Sequence, residues 1–514
     1  MPPVTGRTAS AGAVLALLLC LFPRTLTATE LTLPQGRLLG DARAGISHFL
    51  GIPYAAAPVG ARRWQPPGPA PQWRGSRDAT HLGAQCLQTP YPAGSPYLQV
   101  PAESDEDCLF LNVWTPALPA AEPLPVMVWI HGGNFTRGSG GLPVYNGRAL
   151  AARGVVVVTF NYRLNVFGYL AHPALSAEQG GHSGNYGLMD QIAALQWVQD
   201  NIAHFGGDPA RVTVFGESAG SSAVNQILAT PGARGLVQGA IGQSGAFFMK
   251  QPELEDGYAV ATQLAARLGA NSLDRLRDVP AADLLAAFAE LEATGVQVGP
   301  VVDGALIPDQ LLDLYEQGEF ARVPTLLGYN RDEATSFALY PDFPGIFRTQ
   351  TEFEEGLWSF AGPAALPLIW AYPEQPGSQR PYLDFWRDAV FGWNMQTWAQ
   401  LSEAAGQSAW LYFFTHAPND FWGEQLGAYH AAEIPFVFGN KVPSHPEDLA
   451  VRELVQSYWV NFARTGNPNG EGLPRWPSYS DDAHYLELNS RPRAAEDLSW
   501  LQLRLLDLLQ AAAN

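Results

Sequence analysis

Apolar residues in this chain fall into short runs that alternate with helical patterns. Three almost continuously apolar runs are typical of strands buried on both faces of a parallel sheet, namely residues 109–114, 126–130 and 155–160. Further strand candidates are residues 211–215, 239–242, 325–328 and 409–414. Apolar residues recur at helical spacing between them, over residues 188–202, 258–268 and 281–291. This alternation predicts an α/β fold with a large, mostly parallel sheet and helices on both faces.

Other regions complete the predicted organisation. Short antiparallel strands are expected at residues 31–33 and 47–52, and a proline-rich, loop-like stretch follows over residues 53–101. Residues around 335–400 indicate a helical, cap-like insertion, and residues 501–514 an amphipathic helix. No linker-like composition interrupts the chain, so we expect a single domain over residues 29–514.

The first 28 residues have the pattern of a secretory signal peptide. Arg7 supplies a short positive region, residues 11–22 form an apolar core too short to span a bilayer stably, and Ala28 offers a cleavage point. We therefore expect removal of residues 1–28 and a secreted or periplasmic protein. No later apolar run reaches membrane-spanning length, so a stable membrane anchor is not expected.

The net charge of the chain excludes two classes of binding partner. The chain has 30 basic and 49 acidic residues, a formal net charge of −19, which argues against nucleic acid or an anionic membrane as partner.

Without the signal segment two cysteines remain, Cys86 and Cys108. An even pair in an exported protein predicts a disulfide. A catalytic cysteine is the competing interpretation, but neither has a neighbouring histidine in sequence.

The strongest chemical signal is the sequence GESAG at residues 216–220. It follows a strand candidate and precedes a helix-compatible stretch, which is the setting of a nucleophile elbow. In such a turn a serine, here Ser218, projects its hydroxyl above the sheet. The flanking glycines are needed because strand and helix backbones pass close together. The helix N-terminus faces the point where negative charge develops.

A serine nucleophile needs a general base, and the elbow predicts the chain order serine, acid, histidine. Four histidines follow Ser218, at positions 416, 430, 445 and 484. His430 lies in a loop of small residues after the strand at 409–414 and is the leading candidate, with His416 second. For the orienting acid, Glu333 follows the end of the strand at 325–328, where catalytic groups of α/β sheets collect. From the residues alone, Asp332 and Asp303 remain alternatives.

Residues 131–135, HGGNF, follow the strand at 126–130 and have the position of an oxyanion loop. The amide of Ala219, which follows the nucleophile, is expected to donate as well. His131 is expected to support this loop by packing rather than to act as base or metal ligand. Residues 134–136 also form a glycosylation acceptor pattern, which we discount because a sugar there would block the site.

Together these motifs resemble the type-B carboxylesterase/cholinesterase family of α/β-hydrolases. The resemblance spans residues 52–477 and rests on GIPYA (51–55), EDCLFLNV (106–113), NYR (161–163), GNYGLMDQ (184–191), FGESAG (215–220), DE (332–333), HAAEIPFVFG (430–439) and TGNPN (465–469). It implies an α/β-hydrolase fold and a triad of Ser218, Glu333 and His430. Its implied oxyanion donors are the amides of Gly133, Asn134 and Ala219.

The resemblance also implies supporting residues and two departures. It pairs Cys86 with Cys108, and we expect Glu217, Ser244 and Glu433 to support the site from behind the reacting groups. Asn134 stands where the family often has a third glycine. No tryptophan lies between the two cysteines, although that residue type binds choline in the cholinesterase branch, so we do not expect a cholinesterase.

The predicted activity is hydrolysis of small-molecule carboxylic esters through an acyl-enzyme, without metal or cofactor. A serine amidase or peptidase, a more specialised polyester, lactone or mycotoxin esterase, and a non-enzymatic adhesion protein are the alternatives. Oligomeric state and acyl preference do not follow from the sequence.

Overall fold

In the part of the chain that the structure describes, 13 strands form one mixed β-sheet. The computed structural model describes residues 27–97, 103–116, 118–340, 343, 345–375, 377–440, 442–480 and 482–513. The strands, including a separate two-stranded pair formed by β5 and β6, are β1 Thr27–Leu33, β2 Gly36–Arg43, β3 Ile46–Pro53, β4 Ser76–Asp78, β5 Gln85–Cys86, β6 Ser104–Asp105, β7 Phe110–Pro116, β8 Leu124–Ile130, β9 Val156–Phe160, β10 Gly207–Glu217, β11 Gly239–Gln243, β12 Thr325–Asn330, β13 Ala409–Phe414, β14 Tyr485–Leu488 and β15 Arg493–Ala495.

Helices connect these strands and cover the sheet. They are α1 Arg148–Ala151, α2 Asn165–Tyr169, α3 Pro173–Glu178, α4 Tyr186–Asn201, α5 Ala219–Ala229, α6 Leu254–Leu268, α7 Leu273–Asp278, α8 Ala281–Glu292, α9 Leu311–Glu316, α10 Gln350–Ala361, α11 Ala365–Ala371, α12 Arg380–Arg387, α13 Trp393–Ala404, α14 Phe421–Leu426, α15 Ile434–Phe438, α16 Pro446–Thr465 and α17 Trp500–Ala513. A π-helical turn, Asp388–Gly392, joins α12 to α13.

The strand order is β1-β2-β3-β7-β9-β8-β10-β11-β12-β13-β14-β15, with β4 beside β2. From β9 to β14 all neighbouring strands are parallel, while β1, β2, β3, β7 and β15 pair antiparallel at the two sides. After β8 the chain forms β9 on one side and then β10 on the other. This reversal opens a crevice at the carboxyl ends of β8 and β10, the place where α/β sheets bind ligands.

Both faces of the central strands are buried, as their continuous apolar runs predict. In β8, Val126 and Val128 pack into one hydrophobic core, whereas Met127 and Trp129 pack into another. Successive residues of a strand point to opposite faces, so each core covers one face of the sheet. The sheet is thus a rigid platform for the groups at its strand ends.

The predicted α/β class is confirmed, and most predicted strands and helices agree with the structure to within a few residues. One interpretation is wrong: the apolar run at residues 109–114 predicts a parallel strand, but β7 pairs antiparallel with both β3 and β9. An apolar run indicates that a strand is buried on both faces. It does not indicate whether the strand pairs parallel or antiparallel with its neighbours. The predicted cap region contains α10 to α13 and the π-helical turn. Strand β2 was not predicted.

The predicted signal segment lies outside the described residues except for Thr27 and Ala28, which pair with β2. Among the described helices, none is long and apolar enough to cross a membrane.

Candidate active site

Ser218 occupies a sharp turn between β10 and α5. Its backbone has φ 57° and ψ −125°, a region that residues with a side chain rarely adopt. The amide of Ser218 donates to the carbonyl oxygen of Gln243 at 2.8 Å, and its own carbonyl accepts from Ser222 at the start of α5. Strained backbone of this kind persists where the surrounding structure holds it, and it concentrates at functional sites. The strand–turn–helix geometry predicted for GESAG is present.

The two glycines of this turn are required by close backbone contacts. A Cβ atom on Gly220 would lie 2.1 Å from the carbonyl oxygen of Ile130, at the end of neighbouring β8. A Cβ atom on Gly216 would lie 2.5 Å from the carbonyl carbon of Gly220. Both contacts are with backbone that cannot move aside, so any larger residue would push α5 away from the sheet.

His430 and Glu333 meet beyond the ends of β12 and β13. Nδ1 of His430 lies 2.6 Å from Oε2 of Glu333, and the other carboxylate oxygen of Glu333 accepts a 2.7 Å hydrogen bond from the amide of Asn330. Glu333 is fully buried and His430 nearly so. Fixed in this way, the carboxylate holds the proton of the imidazole on Nδ1 and leaves Nε2 available to accept one.

Nε2 of His430 faces a second carboxylate, a contact that the sequence did not predict. It lies 3.0 Å from Oε1 of Glu217, the residue directly before Ser218. Within the described residues, no hydrogen bond joins Oγ of Ser218 to His430. The predicted convergence therefore brings the imidazole to Glu333 and to the neighbour of the nucleophile. The sequence showed a glutamate inside GESAG, but it gave no indication that this glutamate contacts His430.

Three carboxylates surround this imidazole and change its acidity. Burial lowers the pKa of His430, but the charges of Glu217, Glu333 and Glu433 and the hydrogen bond to Glu333 outweigh it and raise that pKa to about 9. Burial also raises the pKa of Glu217, to about 8, although the positive charge of His430 opposes this. The carboxylates around His430 therefore make its imidazole a stronger base than a free one.

The remaining two supporting residues differ in their contacts. Glu433 accepts hydrogen bonds from Gln243 at 2.8 Å and from Asn330 at 2.7 Å, which ties the His430 loop to the ends of β11 and β12. Ser244 is fully buried beside β12, with φ 53° and its amide bonded to Gly328, but its hydroxyl has no hydrogen-bond partner among the described residues. Its expected role therefore stays a prediction.

The loop after β8 passes directly over the elbow. A Cβ atom on Gly132 would lie 3.0 Å from Cβ of Ser218. Gly133, Asn134 and Phe135 all have positive φ angles, of 109°, 54° and 57°. The amides of Gly133, Asn134 and Ala219 donate no hydrogen bond within the described part of the chain. Such amides are available to an oxyanion.

Asn134 fits its position because asparagine tolerates left-handed backbone better than most residues. Its side chain is exposed. His131 is buried, stacks on Tyr162 with ring centroids 4.4 Å apart, and has its pKa lowered by burial to about 4. A neutral, packed His131 agrees with the supporting role predicted for it.

A family model described as "Carboxylesterase family" matches residues 27–505, nearly the whole described chain. The chain belongs to the carboxylesterase family. It is 37% identical over 480 residues to the para-nitrobenzyl esterase of Bacillus subtilis (strain 168), covering 89% of this chain and 94% of the relative. It is 35% identical over 488 residues to the fumonisin B1 esterase of Sphingopyxis macrogoltabida, covering 90% and 87%.

Solved structures agree. A para-nitrobenzyl esterase superposes with a TM-score of 0.82 at 36% identity, covering 93% of this chain and 100% of that one. A Geobacillus stearothermophilus carboxylesterase superposes with a TM-score of 0.83 at 34% identity, covering 93% of this chain and 100% of that one. The predicted family and the α/β-hydrolase fold are therefore confirmed, and the chain is a carboxylesterase-family hydrolase.

The alternative site residues of this carboxylesterase lie elsewhere or have other partners. Nε2 of His416 lies 2.8 Å from Asp448. Asp303 accepts from Asn185 at 2.9 Å, and Asp332 from the amide of Ala428 at 2.8 Å. None of them contacts the imidazole of His430. Among the described residues, no group of three or more histidine, cysteine or acidic side chains could hold a metal ion.

Aromatic side chains enclose His430, and the sequence offered no local signal for them. Phe391, from the π-helical turn, stacks on the imidazole at 4.9 Å, and Phe337 approaches at 5.0 Å. The ring of Tyr97 lies nearly perpendicular to the imidazole, with centroids 6.4 Å apart. These residues come from the cap and from the segment closed by the Cys86–Cys108 disulfide, which is present. The enclosure limits water around the imidazole.

Proposed function

We propose that this carboxylesterase hydrolyses small-molecule carboxylic esters through a Ser218 acyl-enzyme. The observation that carries the proposal is the buried imidazole of His430, with Nδ1 2.6 Å from Glu333 and Nε2 turned toward the residue beside Ser218. A base oriented by an acid next to an elbow serine is the arrangement that acyl transfer requires.

In the proposed mechanism, Nε2 of His430 turns from Glu217 and takes the proton of Ser218 Oγ as this oxygen attacks the ester carbonyl. The amides of Gly133, Asn134 and Ala219 stabilise the resulting oxyanion. His430 returns the proton to the leaving alcohol. Water then repeats the sequence on the acyl-enzyme and releases the acid.

Glu333 contributes by holding one tautomer of the imidazole and by stabilising the imidazolium that forms in both steps. Its support is the pair of short contacts, to His430 and to the amide of Asn330. Because Glu333 is fully buried, water does not compete for these hydrogen bonds.

We also propose that the enzyme is exported and is not a cholinesterase. Support for export is the pattern of residues 1–28 together with the disulfide between Cys86 and Cys108. Support against choline binding is the lack of tryptophan between these cysteines. The aromatic residue that this segment places beside His430 is Tyr97 instead.

The test is a chain-length series of p-nitrophenyl esters, acetylthiocholine and a matched p-nitroanilide, hydrolysed by the wild type and by Ser218→Ala. We expect ester hydrolysis by the wild type, little with acetylthiocholine or the anilide, and a loss of at least about 1000-fold in kcat for the variant. Ser402→Ala, which removes a buried serine hydroxyl in α13, is the matched control. Full activity of Ser218→Ala would end the proposal.

A further inference from the structure

The segment between Cys86 and Cys108, here called the disulfide segment, has a tyrosine at its midpoint. Tyr97 is equally far in sequence from the two cysteines. The cross-link joins the ends of the segment, so it restricts how far its midpoint can move from the sheet. A side chain at this position can therefore be held against a distant part of the molecule.

The hydroxyl of Tyr97 contacts both loops that carry the proposed base and acid. Its oxygen lies 2.9 Å from the main-chain carbonyl oxygen of His430 and 2.8 Å from Oγ of Ser336, three residues after Glu333. A carbonyl oxygen only accepts, so the Tyr97 hydroxyl donates its one hydrogen to His430, and its oxygen accepts from the Ser336 hydroxyl.

The Tyr97 hydroxyl is chemically suited to be a permanent donor. Burial raises its pKa well above the usual value for tyrosine, so the phenol keeps its proton across the working pH range. The Tyr97 ring also packs against the imidazole of His430 in a perpendicular arrangement, with centroids 6.4 Å apart and planes at 83°. One side chain thus contacts both the backbone and the ring of the same residue.

The start of the disulfide segment is bound to the residues that directly follow the oxyanion loop. Gln88 accepts from the amide of Gly138 at 2.7 Å and donates to the carbonyl oxygen of the same residue at 2.8 Å. Thr89 accepts from Arg137 at 2.9 Å. The segment therefore touches the proposed oxyanion side of the site with its first residues and the base with its midpoint.

We propose that Tyr97 is a positioning residue: its hydroxyl fixes the main chain of His430, and the disulfide holds Tyr97 in place. The inference rests on the proposed role of His430 as the base. Acyl transfer depends on a small distance between Nε2 and the nucleophile, so a base whose main chain loses one restraint reacts more slowly while substrate binding is little affected.

The test compares two variants that each remove one tyrosine hydroxyl donating to a carbonyl. Tyr97→Phe removes the bond to His430, and the control Tyr458→Phe removes a 2.7 Å bond to Pro474 between α16 and the following loop. We expect Tyr97→Phe to lower kcat for p-nitrophenyl butyrate about three- to tenfold, the range of one ordinary hydrogen bond, with KM nearly unchanged. Both variants should lower the melting temperature to a similar extent, but Tyr458→Phe should leave kcat as in the wild type.

The role of the disulfide is tested by Cys86→Ala with Cys108→Ala. We expect this pair to lower kcat at a temperature where the variant is folded, and adding Tyr97→Phe should cause little further loss, because both changes act on the same contact. Wild-type kcat in Tyr97→Phe, or an equal loss in Tyr458→Phe, would overturn the positioning role. Fully multiplicative losses would overturn the link to the disulfide. Neither result affects Ser218→Ala, which tests the proposed function separately.

Discussion

Replacing Glu217 by glutamine should move the acid limb of the pH–activity profile to lower pH. The proposed base must be neutral to accept a proton, so activity is lost as pH falls through the pKa of His430. Burial lowers this pKa, and among the three neighbouring carboxylates the charge of Glu217 raises it most. Removing that charge therefore lowers the pKa and leaves more neutral imidazole at a given pH.

The size of the shift follows from the contact. An opposite charge within about 4–6 Å shifts a pKa by roughly 1–3 units, and Oε1 of Glu217 lies 3.0 Å from Nε2 of His430. We expect a shift of at least about one unit from a wild-type value near 9. Each unit increases the neutral fraction at pH 7 about tenfold. The variant should thus keep a larger share of its own maximal activity at neutral pH.

The assay is kcat/KM for p-nitrophenyl butyrate from about pH 5 to about pH 10, read at an isosbestic wavelength of p-nitrophenol. Glu433→Gln is the matched control, because Glu433 influences the same pKa least of the three carboxylates and hydrogen-bonds to Gln243 and Asn330 instead. It should give a smaller shift. An acid limb that stays in place in Glu217→Gln would refute the reasoning, whatever happens to the maximal rate.

Two further predictions concern the elbow and export. Gly220→Ala should lower the free energy of unfolding by about 1–3 kcal/mol or more in urea denaturation, since its Cβ would lie 2.1 Å from the carbonyl oxygen of Ile130. Gly232→Ala, with open space around the new methyl group, is the control, and equal effects of the two changes would be contrary evidence. The mature protein should begin near Thr29, after cleavage at Ala28, as read by mass spectrometry of exported material. An exported protein that retains residues 1–28 would contradict the signal-peptide prediction.

Local patterns were sufficient for the elements and for the elbow. The apolar runs reflect burial on both faces, and Gly216 and Gly220 reflect the close approach of α5 to β10 and to the neighbouring β8. Pairing direction was not readable for β7, because burial alone does not encode it. His430 was favoured by its loop of small residues after β13, Glu333 was chosen over Asp332 and Asp303 by the resemblance, and their 2.6 Å contact is a fact of the tertiary structure.

The sequence by itself determined the strand–turn–helix around Ser218, the α/β class and the cysteine pair, since each depends on neighbours in the chain or on composition. Only the tertiary structure decided that Nε2 of His430 faces Glu217 and that Tyr97 reaches the His430 main chain. The physical reason is that these contacts join residues about a hundred or more positions apart. No local periodicity carries information on which distant loops meet at the end of a sheet.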